Sequence, residues 1–367
     1  MSEYGQLGKY LTNNKFTTNK IIGRFTTFLL SGFTIQCVKI LVSTIKGYLR
    51  IVNRHYRESG CVEPWDPDDN SDSSILLREQ KKFEQEPARR APLDDKVIVK
   101  MHELARRDKI GFRAAVFDFT ALGEYGGFRQ QEWCMDSKHE IKHYVMPDGT
   151  QVVRAFTFKN FIMYDKDNVR LPRPLSRRRV IRKLGIEYDV QKNRCNGQVI
   201  AYLRLPKQPI WCPVELALNI LTRAQVLGSS DPEDPLCVYR DKDGNTRYIT
   251  GVDVTEYYRF VTKLVMPSIS PEELKLISTH SIRVRACVLL HEAGKDGPFI
   301  KLRIRWLSDC FQIYLRNTER ITSQHSQALS GNQRRMTDMV LKSMGLDQVF
   351  IADGEVDLKM DDLEDDD

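Results

Sequence analysis

One stretch constrains this chain more than any other: THSIRVRACVLLHEAGKDGPFIKLRIRWLSDCFQIYLRNT, from Thr279 to Thr318. Ile282, Ala286, Leu289, Leu290 and Ala293 recur at helical spacing and predict a helix over residues 281–292. Thr279 can cap its start and Gly294 can end it. His280 and Arg283 fall near its first turn and can point the same way. Pro298 suits the first position of a second helix, ending near Trp306. Ser308 can cap a third, which carries Tyr314 about one and a half turns in. Each residue alone has an ordinary structural explanation, because a lone His-x-x-Arg is common and a tryptophan near a helix end is usually core. In this order, framed by this helix punctuation, they point to a site.

Two pieces upstream carry further candidates. A helix is expected from Phe112 to about Leu122; in ALGEYGGFRQQEWC the Gly126-Gly127 pair then breaks the chain, and a new helix from Phe128 carries Arg129 and Glu132. At this spacing the two are equally compatible with a surface helical pair. In FTFKNFIMY, Phe156, Phe158 and Phe161 alternate with polar neighbours and predict a strand. Leu184 to Leu205 reads as a hairpin that turns at Asn196-Gly197, and Lys192 sits where the first strand enters that turn.

The set His280-x-x-Arg283, Trp306, Tyr314 resembles the signature of the tyrosine recombinase (phage integrase) family: His-x-x-Arg, a His or Trp, then a nucleophilic Tyr. The segment RWLSDCFQIYLR looks more like the eukaryotic transposon-borne members than the bacterial ones. Its Trp-to-Tyr step is one residue shorter than in most bacterial members. Ile304-Arg305 stands where those proteins often carry a glycine. GGFRQQE resembles the family's G-x-R-x-x-E motif, so Arg129 matches its first arginine and Glu132 the carboxylate that steadies it. Lys192 matches the hairpin lysine, the family's usual general acid, with Lys159 as the alternative.

The resemblance implies a reaction that needs neither cofactor nor metal. Tyr314 would attack a DNA phosphodiester and form a 3′-phosphotyrosyl bond. Arg129 and Arg283 would grip the non-bridging oxygens and Trp306 would add a donor. Lys192 would protonate the leaving 5′-oxygen, and His280 would assist deprotonation of Tyr314. The implied partner is double-stranded DNA, bound by a tetramer of this chain on paired sites.

The rest of the chain fits an α+β class, mainly helical with a small β-sheet. Residues 1–62 read as a helical domain. Ile21, Ile22, Phe25, Phe28 and Leu29 face one helix's core, with Gly32 at its end, and Ile35, Val38, Leu41, Val42, Ile45 and Leu49 face another's, with Thr34 as its cap. Lys39, Lys46 and Arg50 line a second face of that helix, either as a solvated face or as a phosphate-tracking surface. Position and composition resemble the family's core-binding domain, which clamps the duplex. Residues 63–92, opening with EPWDPDDNSDSS, read as a linker. Residues 93–325 hold the candidate catalytic domain. Residues 326–367 hold one further helix, over 334–344, and an acidic tail that composition marks as disordered. Within RLPRPLSRRRVIRK, the cluster Arg177, Arg178 and Arg179 reads as a DNA contact, a nuclear-targeting patch or a solvated loop.

Charge agrees with a polyanionic partner. The formal net charge is +7, yet residues 353–367 carry nine acids against the single base Lys359, which leaves the remainder at +15. A generally basic soluble protein would look the same, so charge alone does not decide. The eight cysteines form no C-x-x-C pair and no disulfide framework, which fits a reducing compartment. The first twenty residues are polar and predict no signal peptide, and Arg24, Gln36 and Lys39 interrupt the apolar run 21–45, so no membrane span is expected. An intracellular location follows, nuclear in a eukaryotic host and cytoplasmic otherwise.

The expectation is therefore a DNA recombinase or integrase of mobile-element origin. A non-catalytic, element-derived DNA-binding protein is the alternative from another class. A type IB topoisomerase would share the chemistry and act as a monomer. A metal-dependent nuclease is the weakest alternative, because no carboxylate cluster stands at ligand spacing.

Overall fold

Apolar periodicity and capping build this chain into two units that divide at Arg89. The computed structural model describes residues 15–32, 40–84, 89–146, 148–172, 180–191, 196–315, 318 and 321–327.

The first unit holds helices α1 (Lys15–Leu30), α2 (Val42–Glu58) and α3 (Asp72–Phe83). Val42, Ile45 and Leu49 on α2 meet Ile22, Leu29, Trp65 and Leu77 in one core. Gly32 ends α1 in the left-handed region at φ 79°. Leu41, expected in the buried stripe, is exposed at the α2 N-cap, while Ile35, Val38 and the Thr34 cap lie outside the described residues.

The expected linker over 63–92 is a correction. Trp65 is only 3% exposed in this core, and Leu77 of α3 packs beside it. The Trp65 indole N–H donates to Ser74 Oγ at 3.0 Å, and its backbone N–H donates to Asn53 Oδ1 at 3.2 Å. The acids that suggested a solvated linker make turns instead. Asp66 and Asp69 accept the backbone N–H groups of Asp68 and Ser71, and Ser71 caps α3.

The second unit is arranged around α5 (Phe112–Gly126), which is buried at every position from Ala114 to Gly123. It packs against α4 (Asp95–Ala105), α7 (Pro213–Val226) and α10 (Ser281–Glu292). Small side chains permit this approach: a Cβ on Gly123 would stand 3.0 Å from Ile282 of α10. Arg285 fixes the pitch of α10 by pairing with Glu124 of α5 at 2.6 Å and Asp95 of α4 at 2.8 Å.

Among the described residues, a hairpin of β1 (His143–Val145) with β2 (Gln151–Val153), a three-stranded antiparallel sheet of β3 (Phe161–Tyr164), β4 (Lys183–Tyr188) and β5 (Gln198–Leu203), and a hairpin of Val238–Arg240 with Thr246–Tyr248 complete the unit. The expected hairpin is present, with β4 (Lys183–Tyr188) paired to β5 (Gln198–Leu203) so that Ile186 faces Ile200. The expected strand from Phe156 is shorter. Asn160 accepts from both the backbone and the hydroxyl of Thr157, which winds residues 158–160 into a 3-10 turn before β3 (Phe161–Tyr164). The chain is thus α+β, mainly helical, as its pattern implied. Among the described residues no helix is long and apolar enough to cross a membrane.

The C-terminal stretch forms α10, α11 (Gly297–Ile304) and a 3-10 helix, Asp309–Tyr314. Ala286, Cys287, Ile300, Ile304, Phe311 and Leu315 make a small core that holds these three together. The helix expected over 334–344 and the acidic tail lie outside the described residues.

Candidate active site

The end of α5 sets the first arginine. Gly127 caps the helix at φ 53°, ψ 51°, and a Cβ there would come within 2.8 Å of the Ile304 side chain. Glycine is therefore required by both conformation and space. The chain then extends through Arg129, which is the N-cap of the short helix α6 (Gln130–Trp133) rather than a residue inside it. Glu132 reaches back to accept the Arg129 backbone N–H at 2.8 Å and its Nη1 at 3.1 Å.

Glu132 does more than steady Arg129. Its carboxylate is bridged by Arg305, Nη1 to Oε1 at 2.7 Å and Nη2 to Oε2 at 2.9 Å. Burial works against the Glu132 charge, but Arg305 and then Arg129 outweigh it and hold the carboxyl below its usual range. The Arg305 side chain is fully buried. It also donates to Gly126 O at 3.1 Å and Gln191 Oε1 at 3.2 Å, and lies 3.5 Å over the Tyr188 ring. Sequence reasoning did not single out Arg305 as part of the site. The available signal was the missing glycine, because Arg305 adopts φ 58°, ψ 48° at the end of α11, a conformation glycine takes freely. For a side chain as long as arginine this strain is of the order of 1–3 kcal/mol and persists only where surrounding bonds hold it.

The Arg305 carbonyl completes the cluster. It accepts from Arg129 Nη2 at 3.0 Å and from Arg283 Nη2 at 3.3 Å. Arg283 also donates to Gly127 O and stacks 4.9 Å over the Trp306 ring. Burial, then the charges of Arg129 and Arg305, push its pKa down to about 9. Three guanidinium groups thus cluster around one carboxylate that two of them, Arg129 and Arg305, bond directly, and Arg129 has 24% of its side chain exposed to solvent. Such a site favours an anion.

His280 occupies the α10 N-cap, which the sequence suggested for Thr279. The Thr279 hydroxyl instead donates to Gln130 Oε1 at 2.8 Å, tying α10 to α6. Burial, then Arg283, Arg90 and Arg129, lower the His280 pKa below its usual value, so the ring is neutral at pH 7. The Tyr314 hydroxyl lies 3.5 Å from His280 Nε2. Burial raises the Tyr314 pKa despite the opposing charges of Arg89 and Arg283.

Tyr314 is carried on a 3-10 helix rather than on the α-helix expected after Ser308, and Ser308 makes no side-chain cap. Residues three apart eclipse in this helix, so Phe311 and Tyr314 share an edge. Both rings stack on Trp306, at centroid distances of 5.5 and 6.0 Å and interplanar angles of 18° and 16°. Trp306 lies just beyond α11, half-buried, and acts as the platform that orients Tyr314.

The structure therefore brings Arg129, His280, Arg283, Trp306 and Tyr314 together with Glu132. Lys192 lies outside the described residues, as do Lys39, Arg177, Arg178 and Arg179. Lys159, the alternative general acid, is held in ion pairs with Glu233 at 2.9 Å and Asp189 at 3.3 Å. On α2, Lys46 is half-buried and Arg50 exposed.

Neither a family model nor a curated protein matches the sequence. Among solved structures the chain is similar to the Tn1549 transposon integrase in complex with circular intermediate DNA, at 12% identity over 86% of this chain and 85% of that one, with a TM-score of 0.42. It is also similar to XerA recombinase, at 14% identity over 89% and 92%, TM-score 0.36. A third is a lambda integrase dimer bound to a COC′ core site, at 14% identity over 86% and 95%, TM-score 0.36. None of these three supports the narrower likeness to eukaryotic transposon-borne members. The solved structures to which the chain is similar are thus recombinases and integrases.

Proposed function

We propose that this chain cuts and rejoins double-stranded DNA through a 3′-phosphotyrosyl bond to Tyr314, as a recombinase or integrase of mobile-element origin. The observation that carries the reading is the 3.5 Å approach of the Tyr314 hydroxyl to a neutral His280, beside two arginines tethered to one carbonyl. Tyrosine holds its proton at neutral pH and needs a base to become a nucleophile. His280 Nε2 takes that proton, which requires the ring's own proton on Nδ1. The Tyr314 oxygen then attacks phosphorus while Arg129 and Arg283 stabilise the charge on the non-bridging oxygens. The bond to the 5′-oxygen breaks, and that oxygen takes a proton from Lys192. The phosphotyrosyl bond conserves the ester, so attack by a second 5′-hydroxyl reverses the reaction and rejoins DNA. Exchange between two duplexes calls for several copies of the chain on paired sites, a tetramer.

The test is denaturing capture of protein–DNA adducts from cells expressing the protein, with sequencing of the attached DNA and Tyr314→Phe alongside. Adducts from the unsubstituted protein alone establish the nucleophile and reveal the target. Adducts that persist in Tyr314→Phe would reject the assignment. No adducts from either protein, with nuclease-protected DNA under native conditions, would identify a non-catalytic DNA-binding protein.

A further inference from the structure

We propose that Arg305 is a positioning residue for Arg129 and Arg283: its buried side chain locks a left-handed turn that aims its carbonyl at both, and its guanidinium withholds Glu132 from Arg129. The inference rests on the phosphotyrosyl reading of this site and assigns a role to a residue outside the motif.

The backbone argument comes first. Among the described residues, Arg305 and Asn168 are the non-glycine residues with positive φ. Asparagine tolerates this region, whereas arginine does not. A glycine at the same place would sample several orientations of the peptide that follows it, and with them several directions of its carbonyl. Arg305 has no such freedom. Both Glu132 oxygens, Gly126 O, Gln191 Oε1 and the Tyr188 ring hold its guanidinium from several sides. The side chain anchors the backbone, and the backbone points the carbonyl that receives Arg129 and Arg283.

The charge argument is independent. Glu132 is buried, with its carboxylate within reach of Arg129. Left to itself, a buried carboxylate would draw Arg129 into a bidentate pair and neutralise it. Arg305 bridges both oxygens, so the Arg129 guanidinium keeps a single contact, from Nη1 at 3.1 Å, beside the bond from its backbone N–H. The cluster then presents net positive charge to an anion, on guanidinium planes already fixed. Fixed donors need no reorganisation when charge develops, which is where electrostatic catalysis gains most.

The test uses a nicked duplex carrying the sequence recovered in the adduct, and measures the rate of adduct formation beside DNA affinity. Arg305→Gly permits the left-handed turn without strain but removes the guanidinium that holds it there. We expect it to form adduct about 100-fold more slowly, with affinity changed by no more than about twofold. Combining it with Glu132→Gln removes the carboxylate charge that captures Arg129, and recovery of about tenfold is expected, the rest of the loss belonging to the unanchored carbonyl. A merely structural role predicts the opposite, with the double variant no faster than Arg305→Gly. Should Arg305→Gly not fold, Arg305→Lys serves in its place, because an ammonium cannot bridge both carboxylate oxygens; it is expected to lose about tenfold in rate. An undiminished rate in the variant that folds overturns the anchoring of the carbonyl by Arg305, and no recovery in the double variant overturns the shielding of Arg129 from Glu132. Absence of adduct from the unsubstituted protein overturns the phosphotyrosyl reading itself.

Discussion

Arg305 bridges both oxygens of Glu132 from a backbone conformation that arginine rarely adopts. The pair is buried and joins residues 173 positions apart. It fastens the end of α11 to α6, and so sets the distance between the Arg129 motif and the stretch that carries Trp306 and Tyr314.

Removing the carboxylate should therefore be costly. Glu132→Ala leaves the Arg305 guanidinium buried without its counter-charge, and unfolding in urea is expected to show a loss of about 3–5 kcal/mol. A loss below about 1 kcal/mol, the scale of an exposed pair, would show that the bridge is dispensable.

His280 supplies a pH signature. Its folded-state pKa lies below the usual 6.5, because burial and then Arg283, Arg90 and Arg129 disfavour the charged ring. The unfolded chain binds more protons between these two values, so the neutral ring's contribution to stability is complete above 6.5 and is lost as pH falls through the lowered value. Adduct formation should stay flat through the usual imidazole range and decline only as pH falls through the lowered value. Arg90→Ala removes one positive neighbour, raises the imidazole pKa and should move that decline to higher pH. A decline that stays in place would remove His280 from proton transfer.

Trp306 separates two roles. Trp306→Ala removes the platform under Tyr314 and is expected to slow adduct formation about 100-fold. Trp306→Phe keeps a stacking face and loses the indole N–H. Activity near that of the unsubstituted protein in Trp306→Phe would assign Trp306 to orientation; loss equal to that of Trp306→Ala would assign it to hydrogen-bond donation.

Gly127 offers a comparison within one unit. Gly127→Ala meets both a φ of 53° and an Ile304 carbon at 2.8 Å, whereas Gly244→Ala, at φ 85°, meets nothing within 4 Å. Both pay left-handed strain of the order of 1–3 kcal/mol, and Gly127→Ala should exceed Gly244→Ala by a further kcal/mol or so of overpacking. Equal thermal shifts would mean that α11 yields to the added methyl.

DNA tracking by the first unit would show in salt dependence. Lys46→Gln and Arg50→Gln should each weaken binding uniformly across sequences and reduce the slope of log affinity against log salt by about 1 if each touches a phosphate. An unchanged slope would mark this face as simply solvated.

Much of this architecture was legible because it rests on local rules. Helical periodicity marked residues 281–292 as α10, and Asn196-Gly197 marked the β4–β5 hairpin, whose pairing the structure carries. Sequence reading failed where a distant partner decided the outcome. Thr279 looks like a cap, yet Gln130 competes for its hydroxyl. Residues 309–314 look α-helical, yet stacking of Phe311 and Tyr314 on Trp306 accompanies a tighter 3-10 winding. Arg305 looks like one more surface base, and only its meeting with Glu132, Gln191 and Tyr188 shows otherwise.

The burial of Trp65 also fixes where the chain tolerates being cut. A fragment ending at Cys61 would discard Trp65 and Leu77 and leave Ile45 and Leu49 facing water. Such a fragment would aggregate, whatever the quality of its remaining helices. One that runs on to Arg89 keeps the indole bond to Ser74, the backbone bond of Trp65 to Asn53 and the whole apolar cluster. The acidic, proline-interrupted run that resembles a hinge is therefore a poor place for a protease site or an inserted tag.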